Sequence, residues 1–442
     1  MPLTLKKSPD DFVVEERLRV KPGRDVPHVV YRATKRMLTT VELQERVAAA
    51  LKVQPRDVVF TAMKDKRAVT SQHFSLQAAQ GPPRIAGDGW EARYVGRLER
   101  PLSPGDLEGN LFTITLHGLD ERAADALLDR LEALERHGLP NYFDDQRFGS
   151  HTPGTPWFGK AVLLGDAWGA LRCYLAEPAP GDTEETRQFK RYAREHWGDW
   201  PVLFERAPRS NHRSVLTYLK DHPEEHRKAL NLITPRLLPL LLAAYQSHLW
   251  NRIASRIIER RITAMGAPLA KVIVAGEPLA AYAAIGATGG RPSFLSPSSE
   301  AKGPSALSLS RPRERAPGEG STQSVRPEPV EGRTAPRGLA TFLRETRSLS
   351  LALPSHRATY PGGDVADAAQ AVLAAEGLTL EALKARILER AYLPKGERPL
   401  LVFPREASMQ LHAQGTGGRY AVALSFFLPP GAYATLVMKG LG

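Results

Sequence analysis

The segment FTAMKDKRAVTSQHF sets one carboxylate, Asp65, between two lysines, Lys64 and Lys66, with runs of strand-forming residues on either side. Positive charge nearby favours the ionised carboxylate, the form in which an aspartate acts as a nucleophile. Taken alone, Lys-Asp-Lys reads first as a solvated turn, so the surroundings must decide. His222, Glu225 and His226 fit the spacing of an inverted zinc-protease motif. However, Pro223 suits the first turn of a helix preceded by Asp221, and HPEEHRK is polar throughout, like an exposed helix face. No metal site is therefore expected. GTGG at 415–418 and GATGG at 286–290 lack the strand, helix and Lys-Ser/Thr context of a phosphate loop, so no nucleotide cofactor is expected either. Arg147 stays open between a phosphate or carboxylate partner and a structural ion pair.

A reactive loop residue needs rigid elements beside it. DFVVEERLRV and VVYRA alternate apolar and polar positions as strands do, and DVVFTAM and SQHFSLQ read as two more, flanking the charged run 64–67. In TTVELQERVAAALKV, Thr39 and Glu42 form a capping box, and Val47, Ala50 and Leu51 recur at helical spacing. LFTITLHGL puts Phe112, Ile114 and Leu116 on one strand face. A helix follows over 121–137, with Asp120 as N-cap, Leu127, Leu128, Leu131 and Leu134 as its apolar face and Gly138 as its stop. The first unit is thus α+β.

From about 157 to 395 the pattern turns mainly helical, in SVLTYLK, PEEHRKALNLI and PLLLAAYQSHLWNRIASRIIERR. Within it, 289–338 is rich in Pro, Ser, Gly, Arg and Glu and has few residues able to build a core, which predicts an exposed, flexible insertion. RYAVALSFFLPPGAYATLVMKGLG returns to strand composition around a turn at 429–431. The expected organisation is a discontinuous first domain, 1–152 and 394–442, with 153–393 inserted. No fixed-period repeat points to a solenoid or propeller.

The 442 residues are enough for two domains. Lys and Arg outnumber Asp and Glu by 60 to 48, a formal charge of +12 spread along the chain, which suits an extended anionic partner. A GC-rich genome would leave the same excess of Arg, Ala and Pro, so charge only supports that reading. The single cysteine, Cys173, excludes an internal disulfide framework and suits a reducing cytosol. The N-terminal residues lack the apolar core of a secretory signal, and the longest apolar stretch, 237–245, is interrupted by Pro239. A cytoplasmic protein without a membrane span, and a monomer, is expected.

The segment around Asp65 resembles the signature of the TruD pseudouridine synthases, in which Lys-Asp is followed by a basic residue, Ala, a hydrophobic residue, Thr and Gln. Thr61 and Ala62 depart from it, where many members have Ala and Gly. Four further blocks resemble the same family in the same order: SPDDFVVEE, RPLSPGDLEGNLFTITL, PNYFDDQRFG and FFLPPGAYAT.

The resemblance implies an α+β fold: a pseudouridine synthase-like catalytic domain with a mixed, mostly antiparallel sheet, and an inserted, mainly helical family-specific domain that closes an RNA-holding cleft. It implies isomerisation of a tRNA uridine, at position 13 in the D arm, to pseudouridine without metal or cofactor. Asp65 would be the catalytic aspartate, attacking ribose or uracil or assisting a glycal path. Asn141 would contact the substrate and Phe143 stack on it; Phe12 and Tyr433 match aromatic positions lining the uracil site, Lys6 a basic position before the first strand, and Lys64 joins the binding set beside the nucleophile. The 289–338 stretch is not a family feature. The alternative reading is a noncatalytic RNA-binding or RNA-folding protein.

Overall fold

The computed structural model describes residues 8–24, 26–78, 81–282, 324–325, 337–414 and 419–441. Lys6, the glycine turns at 286–290 and 415–418, and the 289–338 insertion apart from 324–325 and 337–338 lie outside the described residues. The chain divides into two compact units: Met1–Gly138, Ala284–Arg333 and Phe403–Gly442 form one, Leu139–Ala283 and Thr334–Val402 the other.

The first unit begins with β1 (Phe12–Leu18) and β2 (His28–Arg36), whose inward positions alternate as the sequence predicts. In α1 (Thr40–Leu51) the Thr39 hydroxyl accepts the Glu42 amide at 3.1 Å, and the Glu42 carboxylate accepts the Thr39 amide at 2.6 Å, completing the capping box. Its buried stripe is Thr40, Leu43, Val47 and Ala48; Ala50, expected inside, lies at the stripe's edge and is exposed. β3 (Val59–Phe60) and β4 (Val69–Gln77) follow, separated by the charged loop. β5 (Arg84–Gly87) and β6 (Trp90–Leu98) carried no sequence expectation, because exposed Tyr94 and Val95 break the alternation in β6. β7 (Leu107–Leu119) buries Phe112, Ile114 and Leu116 together, and α2 (Glu121–His137) runs from the Asp120 cap to Gly138, whose φ of 70° suits glycine. One core packs Val29, Tyr31, Phe74, Leu76 and Trp90 of the sheet against Leu43 and Val47 of α1.

The second unit contains β8 (Leu139–Pro140), α3 (Phe158–Leu163), α4 (Ala167–Leu175), α5 (Glu184–Glu195), α6 (Trp200–Arg206), α7 (Asn211–Asp221), α8 (His226–Leu230), α9 (Leu238–Ala264), β9 (Leu269–Val274) and β10 (Glu277–Tyr282). After β11 (Ser324–Val325), a strand of the first unit, it continues with α10 (Arg337–Thr346), β12 (Ser350–Ala352), α11 (Asp364–Ala375), β13 (Glu397–Pro399) and β14 (Leu401–Val402). α9 is its axis: 27 residues, starting beside Pro239 and buried on most sides, with α3 and α11 against it. β8 pairs with β14, β9 with β10 and β12 with β13, all antiparallel. The helix expected from Pro223 starts instead at His226: His222 ends α7, and 223–225 make the turn between the two helices.

The first unit resumes with β15 (Arg405–Gln414), β16 (Arg419–Leu428) and α12 (Ala434–Leu441). Among the described residues its sheet has ten strands in the order β11-β15-β16-β7-β1-β4-β2-β6-β5, with β3 beside β4. Only β1 and β4 pair in parallel, so the sheet is mixed and mostly antiparallel. The turn before the terminus is present, but 434–441 is a helix and not the strand its composition suggests. Ala434, Leu436, Val437, Met438 and Leu441 are buried, a helical and not an alternating spacing, and Arg130 of α2 donates to the Leu441 carbonyl at 2.5 Å.

Candidate active site

Asp65 lies on the loop between β3 and β4, where the sequence puts it, with its side chain exposed and accepting no hydrogen bond among the described residues. Its main chain, in contrast, is held from below. The Lys35 ammonium, at the end of β2 and fully buried, donates to the Asp65 carbonyl at 2.7 Å and to the Leu38 carbonyl at 2.6 Å. The Lys64 amide donates to the Thr40 hydroxyl at 2.8 Å, tying the loop to the start of α1, and the Lys66 ammonium reaches Glu42 at 3.0 Å.

Lys64 turns inward. Its ammonium donates to the Asn110 amide oxygen at 2.5 Å and stands 3.9 Å from Glu16, whose side chain is fully buried. Glu16 also accepts the Thr61 hydroxyl and, at 3.1 Å, the His73 amide. Burial pushes Glu16 up and Lys64 down, and the charge of each opposes the shift of the other. Lys35 is lowered to about 8, chiefly by burial, with Asp65 and Glu42 holding it up and Lys64 pushing it down. The hydroxyl of Thr70 and the amide nitrogen of Gln72, both in β4, are buried without a hydrogen-bond partner among the described residues.

Phe12, Val14 and Glu16 share the inward face of β1, so Phe12 is on the side of the sheet that Glu16 offers to the loop, ~13 Å along the strand. It is 4% exposed and meets Phe112 edge-on at 6.1 Å. Tyr433 is half-buried just before α12, its carbonyl accepting the Leu436 amide at 3.1 Å.

Asn141 and Phe143 belong to the second unit, where both are buried. The Asn141 amide donates to the Pro399 carbonyl at 3.1 Å and accepts from Arg398 at 2.8 Å; Arg398 also donates to the Asn141 and Tyr142 carbonyls. The Phe143 main chain is clamped by the Asn251 amide, which accepts its N–H and donates to its carbonyl, both at 2.8 Å. Its ring lies 4.2 Å from the Arg398 guanidinium and 5.5 Å from that of Arg147. Arg147 hydrogen-bonds Ser247 at 3.0 Å and makes no ion pair among the described residues, so the structural ion pair is not formed there.

The sequence reading missed Glu16, Lys35, Asn110 and Arg398. Two of them left a signal: Glu16 continues the inward face of Phe12 and Val14, and Lys35 that of Val29, Tyr31 and Ala33. A charge at an inward strand position requires a partner. The His222, Glu225 and His226 pattern assembles no metal site, since Glu225 pairs with Lys228 at 2.7 Å and accepts the Tyr218 hydroxyl. Among the described residues no group of three or more His, Cys, Asp or Glu is arranged to hold a metal, and no helix is long and apolar enough to cross a membrane.

A family model described as tRNA pseudouridine synthase D (TruD) matches residues 2–275 and 319–441. The chain is similar to "Probable tRNA pseudouridine synthase D 2" of Methanocaldococcus jannaschii, 30% identical over 264 residues, which cover 59% of this chain and 62% of that protein. It is similar also to "Probable tRNA pseudouridine synthase D" of Methanopyrus kandleri, 35% identical over 250 residues, 55% of this chain and 62% of the relative. The alignment with the protein of the same description in Methanosarcina barkeri, 26% identical over 446 residues, covers 98% of this chain and 92% of the relative. Among solved structures, a putative tRNA pseudouridine synthase D from Methanosarcina mazei shares the fold, with a TM-score of 0.67 at 21% identity over 100% of this chain and 93% of the other.

Proposed function

This chain belongs to the tRNA pseudouridine synthase D (TruD) family, and from that premise we propose that it isomerises uridine in tRNA to pseudouridine with Asp65 as nucleophile. The observation that carries the reading is the exposed Asp65 carboxylate on a main chain fixed by the buried Lys35 ammonium. A nucleophile must be open to its substrate yet precisely held, since misplacement by about 1 Å can cost on the order of a hundredfold in rate.

The reaction breaks the C1′–N1 glycosidic bond, turns the uracil and joins C1′ to C5, while the proton on C5 leaves and N1 gains one. Atoms and electrons balance within the nucleotide. Asp65 attacks C1′ of the ribose, attacks the uracil ring, or assists proton removal in a glycal path; the residues are compatible with all three. The target base must leave its stack first. In this reading Phe12, Phe143 and Tyr433 give it aromatic surface, Asn141 reads its edge, and Lys6 and Lys64 serve the binding set. The preferred uridine is position 13, in the D arm, an assignment that rests on the family resemblance alone.

The test is pseudouridine mapping, by carbodiimide and reverse transcription, of unmodified tRNA incubated with the protein and with its Asp65→Ala variant. Modification by the parent protein alone supports activity and nucleophile together. Activity in both sinks the assignment of Asp65, and tRNA binding without modification favours a noncatalytic RNA-binding protein.

A further inference from the structure

The loop that carries Asp65 is pinned at both ends: Thr61 and Ala68 are buried, and the Thr61 hydroxyl donates to Glu16. Between them exposure alternates, with Met63 out, Lys64 in and Asp65 out, followed by exposed Lys66 and Arg67. Met63 and Asp65 therefore share the outward side of the loop, with Cα atoms no more than ~7 Å apart. Met63 is 67% exposed, although its side chain is apolar. A second methionine stands close by. Lys35 donates to the carbonyls of both Asp65 and Leu38, so the turn after β2 runs beside the loop, and Met37 in that turn is 44% exposed. Its φ of 55° lies in the left-handed region, which a side chain of this size disfavours.

A single apolar side chain in water is ordinary. Two beside one exposed carboxylate, one of them on a disfavoured backbone, are not explained by packing, since neither is buried. The cations of the loop divide by partner. Lys64 is held by Asn110 and Glu16, Lys66 pairs with Glu42 at 3.0 Å, and only the Arg67 side chain has no hydrogen bond or ion pair among the described residues. Asp65 thus stands between an apolar side chain and an unpaired guanidinium. That combination suits RNA at a point where a base has left its stack. The gap exposes the flat faces of the neighbouring bases, which a flexible apolar chain fills, and the flanking phosphate takes the guanidinium.

We infer that Met63 is a wedge that fills the gap left by the extruded uridine, that Met37 extends the apolar surface beside it, and that Arg67 binds a phosphate flanking the same nucleotide. The inference deepens the reading of Asp65 as the nucleophile of a tRNA enzyme and rests on it. Extruding a base costs stacking energy. A wedge offsets that cost only in the extruded state, so its loss slows modification more than it weakens binding, whereas loss of the Arg67 contact weakens binding in proportion to the counterions no longer released.

The experiment uses the full chain, the variants Met63→Ser, Met63→Leu and Arg67→Gln, the double variant of Met63→Ser with Met37→Gly, and a control, Leu240→Ser, which removes an exposed apolar side chain from α9. Filter binding over a series of salt concentrations gives the Kd for an unmodified tRNA transcript, and single-turnover pseudouridine mapping gives the rate. Met63→Ser slows modification about tenfold and weakens binding about threefold. The double variant loses more, Met63→Leu stays within about twofold of the parent, and Leu240→Ser changes neither quantity. Arg67→Gln flattens the slope of log K against log salt by about one, and Met63→Ser leaves that slope alone. Tm moves by no more than about 2 °C in any variant, because each side chain lost is exposed. A mismatch beside the target uridine, which loosens its stack in advance, shrinks the effect of Met63→Ser. The inference is overturned if Met63→Ser leaves rate and Kd both within about twofold, if it lowers Tm further than that, if Leu240→Ser does the same, or if Arg67→Gln leaves the salt slope unchanged. Should the parent modify no tRNA, the proposed function falls, while Kd and salt slope still decide whether Met63 and Arg67 face RNA.

Discussion

The loop that carries Asp65 and the segment that carries Asn141 and Phe143 are held in opposite ways. In the loop the Asp65 side chain is exposed while the main chain rests on buried Lys35 and on Thr40, with Glu16 and Lys64 beneath. In the segment the side chains are themselves buried: Arg398 and the Pro399 carbonyl satisfy the two ends of the Asn141 amide, and Asn251 holds the Phe143 main chain. An exposed carboxylate is thus offered outward from a fixed backbone, whereas the Asn141 amide can turn away only by giving up Arg398 or the Pro399 carbonyl. Removing an exposed group should cost function alone, and removing a buried one should cost stability first.

The largest effect expected is at the exposed end of this contrast. Asp65→Ala should lower tRNA modification on the order of 10⁴-fold or more, read by pseudouridine mapping, while Tm moves by no more than about 2 °C because an exposed side chain without a partner is lost. A large drop in Tm would break the comparison by showing that Asp65 holds the loop together.

Lys64→Met should act the other way round. It leaves the Glu16 carboxyl buried opposite only the Thr61 hydroxyl and the His73 amide, without the charge that opposes its upward shift, at a cost of about 3–5 kcal/mol measured by urea unfolding. The double variant with Glu16→Leu should recover much of that loss, because the buried carboxyl left without its partner goes with it. If Lys64→Met is neutral, the pair carries no weight and Lys64 is free for a substrate.

Arg398→Ala should follow, at about 2–4 kcal/mol, since it strips hydrogen bonds from Asn141 and Tyr142 and a cation from the Phe143 ring. The Phe143 clamp by Asn251 stays, which caps the effect. A substitution that left stability intact but weakened tRNA binding would move Arg398 from scaffold to interface.

How much of this the sequence discloses depends on separation along the chain. Phe112, Ile114 and Leu116 announce a strand, and Thr39 and Glu42 a helix start, because those signals lie within a few residues. The Asp65 loop was legible for the same reason. Arg398 was not, since its partner Asn141 is 257 residues away and no local spacing encodes the pairing. Neither was α12, whose eight residues rich in Ala, Leu, Val and Met read as a strand until α2 gives the helix a face to bury. Glu16 and Lys35 fall between: the charge in an inward position is visible, but its partner is not.

The smallest effect belongs to Lys35 and is a matter of pH. Its ammonium is lowered to about 8 in the folded chain from an ordinary 10.5. Below pH 8 both states hold the proton. Between about 8 and 10.5 the unfolded chain binds a proton that the folded chain has released, so stability from this group rises with pH across that window. The gain should be about 1–2 kcal/mol, seen as a urea midpoint that climbs from pH 8 to pH 10 in the parent relative to Lys35→Met. Modification should change with the opposite sign, because above pH 8 the neutral amine no longer attracts the Asp65 carboxylate, and an alkaline fall in rate near pH 8 should be absent from Lys35→Arg, which stays charged. If stability and rate instead moved together, Lys35 would serve only as a brace for the Asp65 carbonyl, and the division between a fixed backbone and a free carboxylate would need no charge beneath it.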